Sequence, residues 1–175
     1  MAHLNVQKDL LHQRKDLAGE YRYGDTGQLA ISSIFLIIWI CDTFILQYTT
    51  FLNKYVPNSI RLSLGIVILS LSAFLATKGL SIVFGEKRQN PGVIRKSVFG
   101  VIRHPIYLSE ILLYLGLLIL SLSLAAALIF GIAILFLHYI AKYEEKLCLV
   151  RYGKEYKRYM RDVPMWVPRF WKRQR

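Results

Sequence analysis

Arg103-His104-Pro105-Ile106-Tyr107 and Glu144-Glu145 are the residues of this chain whose types and spacing could do chemistry. Pro105 suits the first turn of a helix, where its missing N–H costs nothing. His104 then falls at the cap, beside unpaired backbone N–H groups and the positive end of the helix dipole. Arg103 adds a fixed cation. An anionic ligand group such as a carboxylate would be well held there. One carboxylate of Glu144-Glu145 could offset a positive charge while the other stays in water. Between the motifs runs an apolar block, residues 106–141, of 36 residues. Folded as a hairpin, that block returns the second motif beside the first. The plainer alternatives are an interfacial anchor for Arg103 and His104, and a solvated helix face where Glu145 pairs with Lys142 or Lys146.

The elements that must position these residues are membrane spans. The chain has 175 residues, 54% hydrophobic and only 19% charged, which is too apolar for an ordinary soluble domain. Apolar runs at 29–52 and 62–84 each exceed the roughly 20 residues a spanning helix needs. The 106–141 block is too long for one span, and Ser121-Leu122-Ser123 offers a turn, giving spans at about 106–121 and 124–141. Residues 5–19 read as a short amphipathic surface helix, and Gly24-Asp25-Thr26-Gly27 as a turn. The expectation is one all-α integral-membrane domain over 1–175, with four spans and a polar tail from 142. No cleaved secretory signal is expected.

Charge placement supports four spans. Basic residues cluster in the N-terminal segment (Lys8, Arg14, Lys15, Arg22), in the second loop (Lys87, Arg88, Arg95, Lys96, Arg103) and, eleven of them, from Lys142 onward. Only Lys54 and Arg61 fall on the opposite side, and Lys78 can snorkel from the end of span two. With four spans the rich segments share one face, and the positive-inside rule makes it cytoplasmic, with both termini. Three spans would break that rule. The net charge of +12 is therefore read as topology and lipid headgroup contact, not nucleic-acid binding. Two cysteines, Cys41 and Cys148, suit neither a disulfide scaffold nor a thiolate zinc site, and no metal site is expected.

Other polar residues invite roles. Asp42 is expected near the middle of span one. Glu110, one turn beyond Ile106, is expected just below the pocket, with His138 as a possible partner for either carboxylate. Their alternative is a buried hydrogen-bonded structural group. Tyr152, Tyr156 and Tyr159 at helical spacing, then Trp166, Phe170 and Trp171, read as an amphipathic helix and tail with an interfacial aromatic belt. Covering a nucleoside base is the other reading of these aromatics, better suited to Tyr107.

At residues 92–116 (GVIRKSVFGVIRHPIYLSEILLYLG) and 143–168 (YEEKLCLVRYGKEYKRYMRDVPMWVP) the chain resembles the integral-membrane methyltransferases of the isoprenylcysteine carboxyl methyltransferase and phospholipid methyltransferase superfamily. The two pieces cover under a third of the chain and carry both halves of the signature in order. The resemblance implies S-adenosylmethionine as methyl donor, held between the hairpin and the C-terminal segment. It implies cofactor contacts from His104, Pro105, Ile106, Tyr107 and Glu144, with Phe99 and the backbone near Val93 and Ile94 lining the same site. Two departures stand out. Lys96-Ser97-Val98-Phe99 replaces a frequent Thr-Gly-x-Tyr. Ile140 stands where prenylcysteine enzymes carry an Arg assigned to the substrate, leaving Lys142 or His138 to compensate.

The reading is therefore a methyltransferase acting on a lipophilic acceptor that reaches the site from the bilayer. O-methylation of a carboxylate, as in the prenylcysteine enzymes, is put first. N-methylation of a phospholipid or other lipid amine is second. A non-catalytic transporter or assembly protein is third. Arg103, Glu145 and Glu110 are the candidate catalytic residues, the glutamates as bases for an acceptor that must shed a proton. Membrane lipids are the expected surroundings. The oligomeric state stays open.

Overall fold

The computed structural model describes residues 24–84 and 92–168. The 5–19 helix, Phe170 and Trp171 lie outside those residues. The described residues form helices and no strands. Helix α1 (Gly24–Ile40) runs on as a wider π-turn, Cys41–Leu46. A 3₁₀ turn (Phe51–Lys54) leads to α2 (Asn58–Phe84). A second 3₁₀ turn (Ser97–Gly100) precedes α3 (Pro105–Ser121), α4 (Leu124–Tyr152) and a short α5 (Lys154–Asp162). Three stretches, Gly24–Leu46, α2 and α4, are long and apolar enough to cross a membrane, while α3 is a shorter apolar helix. The protein is an all-helical integral-membrane protein.

The helix boundaries depart from the sequence expectation at several points. Gly24-Asp25-Thr26-Gly27 is no turn but the start of α1. Gly27 is needed there because the Phe136 ring of α4 fills the space a Cβ would take. The first helical stretch long and apolar enough to span is therefore Gly24–Leu46, where the sequence suggests 29–52. Asp42 lies at its far end rather than its middle, and is buried. It accepts from the Thr49 backbone N–H at 3.1 Å and from the Thr49 and Ser123 hydroxyls. Ser123 in turn caps α4 by accepting from Ala126 N at 3.1 Å. Asp42 thus pins the end of α1 to the α3–α4 turn. Arg61 works at the same end, donating to the Leu120 carbonyl at 2.7 Å, one of the orphan acceptors closing α3.

Helix α4 does not stop at 141 but continues to Tyr152. Nothing between Lys142 and Tyr152 breaks a helix. The stop comes from Gly153, whose φ of 52° disfavours other residues and whose N–H closes on the Leu149 carbonyl at 2.9 Å. Glu144 and Glu145 therefore sit within the helix, about two turns before its end and away from the negative end of its dipole.

Helices α1, α3 and α4 share a core of Phe35, Tyr114, Ala126 and Ala133. Helix α2 packs on α3 along a stripe of small residues seven apart, Gly65, Ser72 and Gly79, which lets the two backbones approach closely. Ser72 donates to the Ser109 carbonyl across this seam at 2.6 Å. Outward side chains such as Val67, Leu128 and Leu135 are largely exposed, as expected where lipid is the solvent. The antiparallel run of α3 and α4 brings the start of α3 and the last turns of α4 to one end of the bundle.

Candidate functional site

The chain before α3 is held in shape by local chemistry. Ser97 takes a left-handed φ of 54° and Gly100 follows, where a Cβ would come 2.8 Å from the Arg95 carbonyl. Left-handed backbone costs an L-residue about 1–2 kcal/mol. Ser97→Gly, which restores the glycine of the frequent Thr-Gly-x-Tyr pattern, is therefore expected to stabilise the protein by about 1 kcal/mol. Denaturant unfolding in detergent would check this, and a loss of stability would count against the backbone reading.

Arg103 ties this segment to the rest of the site. Its Nε donates to Glu145 Oε1 at 2.7 Å, and its Nη1 donates to the carbonyls of Met160 and Val163 at 2.8 and 2.6 Å. The Arg103 N–H also donates to the Pro164 carbonyl at 3.0 Å. Both members of the ion pair are almost wholly buried, with side-chain exposures of 8% and 3%. Tyr159 of α5 adds a bond from its hydroxyl to the Phe99 carbonyl at 2.7 Å. Tyr156 and Tyr159 are consequently core residues, not the interfacial belt that their spacing suggested. Arg95 covers the outer side of Tyr159, 5.4 Å from its ring centre.

Beyond Arg103 the two motifs meet. The His104 ring stacks nearly parallel on Tyr107, with centres 5.6 Å apart, and Tyr107 donates its hydroxyl to Glu144 Oε1 at 2.6 Å. His104 Nε2 is buried 3.4 Å from Glu145 Oε1, but its geometry there makes no hydrogen bond, so the nitrogen lacks a hydrogen-bond partner. Burial pushes the His104 pKa down from its ordinary value, against the opposing pull of Glu145, and keeps the imidazole neutral near pH 7. Of the two glutamates, Glu145 is inside and Glu144 half-exposed. Lys142 stays 3.8 Å from the other Glu145 oxygen.

Arg103, His104, Tyr107, Glu144 and Glu145 are thus brought together. The other candidates are placed elsewhere. Ile106 packs towards Gly79 of α2, and the Phe99 ring joins Leu75, Val98 and Ile102. Val93 packs with Tyr156, Tyr159 and Val163, and Ile94 is half-buried in the extended stretch. Glu110 accepts from Ser32 of α1 at 3.1 Å and from Tyr114, so it bonds α1 to α3 one turn past Tyr107. His138 pairs with neither Asp42 nor Glu110, for its Nδ1 accepts from Trp166 at 3.2 Å. Ile140 is fully buried beside Tyr107 and Leu137.

Met165 and Trp166 complete the site, packed against Tyr107, Leu137, Ile140 and Ala141. Sequence reasoning had placed Trp166 in the interfacial tail. The signal that marks it is the bracket of Pro164 and Pro168 after α5, which turns the chain back over the helix ends.

Apolar helices long enough to cross a membrane, with charged and aromatic side chains gathered at one end of the bundle, define an integral-membrane protein. Residues 58–155 match the family model described as phospholipid methyltransferase, and the chain belongs to that family of membrane methyltransferases. No curated protein and no solved structure matches the chain.

Proposed function

We propose that the protein transfers a methyl group from S-adenosylmethionine to a lipophilic acceptor, at the site formed by His104, Tyr107, Glu144 and Trp166. The observation that carries this is the junction of the two motifs: Tyr107 of one bonded to Glu144 of the other, beside a buried His104 nitrogen still lacking a hydrogen-bond partner. These residues fit the cofactor chemically. Glu144 supplies negative charge for an ammonium or sulfonium, His104 a neutral polar nitrogen, and the rings of Tyr107 and Trp166 flat apolar faces. The bound cofactor supplies an electrophilic methyl group. The chain's part is to hold and orient both substrates and exclude water.

Within this reading, Arg103 and Glu145 are positioning residues. Glu145 faces Arg103, His104 and Lys142, so it holds the His104 end of α3 in place rather than acting as a base. Glu110 is engaged with Ser32 and Tyr114. An acceptor that carries no proton needs neither, and this favours a carboxylate acceptor, as in prenylcysteine O-methylation. The match to phospholipid methyltransferases favours the second reading, N-methylation of a lipid amine. We place four helices across the bilayer as a single domain, with both termini and the site at the cytoplasmic face.

The test is calorimetric binding of S-adenosylmethionine to protein in lipid nanodiscs. The parent protein should bind. Glu144→Ala and His104→Ala should each weaken binding by about tenfold or more, the scale of one charge-assisted hydrogen bond. Absence of binding by the folded parent would refute the reading. Prenylcysteine and aminophospholipid acceptors, assayed in parallel, separate the two chemistries.

A further inference from the structure

Trp166 links the proposed cofactor residues to an exposed side chain of α4. Its ring lies 5.8 Å from that of His104 on one side and 6.2 Å from that of His138 on the other. His104 is buried, whereas His138 is exposed on α4, and its neighbour Tyr139 is 63% exposed among lipid-facing side chains. The indole N–H donates to His138 Nδ1 at 3.2 Å, which fixes the ring across this boundary. Val167, next in the chain, is 71% exposed. Arg103 holds the carbonyls of Met160, Val163 and Pro164, while the described contacts of Trp166 itself are ring packing and the single bond to His138.

We propose that Trp166 is the lateral gate through which the hydrocarbon-bearing acceptor reaches the site, with His138 as its latch. This rests on the methyltransferase reading for what lies behind the gate. An acceptor arriving within the bilayer meets His138 and Trp166 before it meets His104. Its chain takes the place of His104 and Leu137 against the indole face, and the ring turns outward as the Trp166–His138 bond opens. A water-soluble ligand approaching from the aqueous end has no need to cross this side. The gate thus selects the acceptor rather than the cofactor, and selects it by its chain. One hydrogen bond makes a light latch.

The experiment is fluorine NMR on full-length protein containing ring-fluorinated tryptophan, in nanodiscs, with the Trp166 resonance assigned by its loss in Trp166→Phe. The probe is stearic acid carrying its nitroxide beside the carboxyl end. Selective broadening of the Trp166 signal, beyond that of Trp39, is expected, and His138→Leu should increase it by unlatching the ring. Equal broadening of both tryptophans, or none at Trp166, would overturn the gate, and neither result depends on the cofactor. In turnover, His138→Leu and Trp166→Phe each cut the same bond. Each should shift acceptor KM about threefold or more, with non-additive effects in the double variant, and His138→Leu, which lies outside the cofactor residues, should hold S-adenosylmethionine affinity within about twofold. Parallel losses of cofactor affinity and acceptor KM in His138→Leu would mean that the Trp166–His138 bond only supports packing, and would also overturn the proposal. Failure of the parent to bind S-adenosylmethionine while the broadening persists would instead refute the methyltransferase reading alone.

Discussion

Arg103→Ala is expected to cost about 3–5 kcal/mol of stability, the scale for removing one partner of a buried ion pair. The loss has two sources. Glu145, with 3% of its side chain exposed, is left facing only His104 at 3.4 Å and the half-exposed Lys142 at 3.8 Å. The carbonyls of Met160 and Val163 also lose the Nη1 group that satisfies both. Arg103→Lys should recover little, because one ammonium cannot reproduce the fork that meets a carboxylate and two carbonyls in different directions. The paired change Arg103→Leu with Glu145→Leu removes the stranded charge but not the stranded carbonyls. It should therefore fall between the parent and Arg103→Ala. Detergent-based denaturant unfolding measures these differences. Trypsin cleavage after Arg161 should accelerate in Arg103→Ala, because the 163–168 segment loses its anchor. A cost below about 1 kcal/mol would show that the pair merely breaks even against solvent.

The same residue illustrates how far the sequence could be read. Arg103 was legible as a cation beside a helix start, since Pro105 marks that start by its own covalent chemistry. Its partners were not, because Glu145, Met160 and Val163 lie on elements whose relative placement depends on where α4 ends. That end is set by Gly153, twelve residues beyond the apolar block, and hydropathy alone stops at Ala141. Once α4 runs on, Glu145 turns inward and Glu144 meets Tyr107. The hairpin that unites the motifs was legible because length and charge placement allow no other consistent return of the chain. Asp42 was misplaced for a related reason. An apolar run tells which residues tolerate lipid, but the hydroxyls of Thr49 and Ser123 decide where the helix gives way to a turn. Tyr156 and Tyr159 showed helical spacing correctly, but spacing does not say whether the aromatic face meets lipid or protein. Trp166 was hidden because a tryptophan near a membrane is equally at home in an interfacial belt.

Gly116→Ile is expected to destabilise the protein by about 3 kcal/mol, at the upper end for overpacking, whereas Gly131→Ala should be neutral or stabilise by up to about 1 kcal/mol. Both glycines interrupt apolar helices, so propensity alone predicts a gain at each. The surroundings decide otherwise. A Cβ on Gly116 would come 2.7 Å from Leu69 Cδ2 and 3.5 Å from the Gly65 carbonyl, and one on Gly65 would come 2.5 Å from Leu120 Cδ2. The two glycines thus face one another, each taking a leucine from the opposite helix. The Leu69 side chain must shift even for one added carbon, its Cγ also lying 2.7 Å away, but a side chain yields more readily than backbone, so Gly116→Ala should cost less than Gly116→Ile. A branched side chain must push α2 and α3 apart, because the facing backbone cannot yield. No atom lies within 4 Å of a Cβ built on Gly131. The consequence reaches the site through the same seam. Near its other end Gly79 receives Ile106, in the first turn of α3, between His104 and Tyr107. Separating the helices at Gly116 should therefore tilt that turn and weaken S-adenosylmethionine binding about tenfold, by the loss of one well-placed polar contact. Thermal unfolding and calorimetry on Gly116→Ile, Gly116→Ala and Gly131→Ala test both effects. Loss of stability with unchanged cofactor affinity would show that the α2–α3 seam and the start of α3 are mechanically independent.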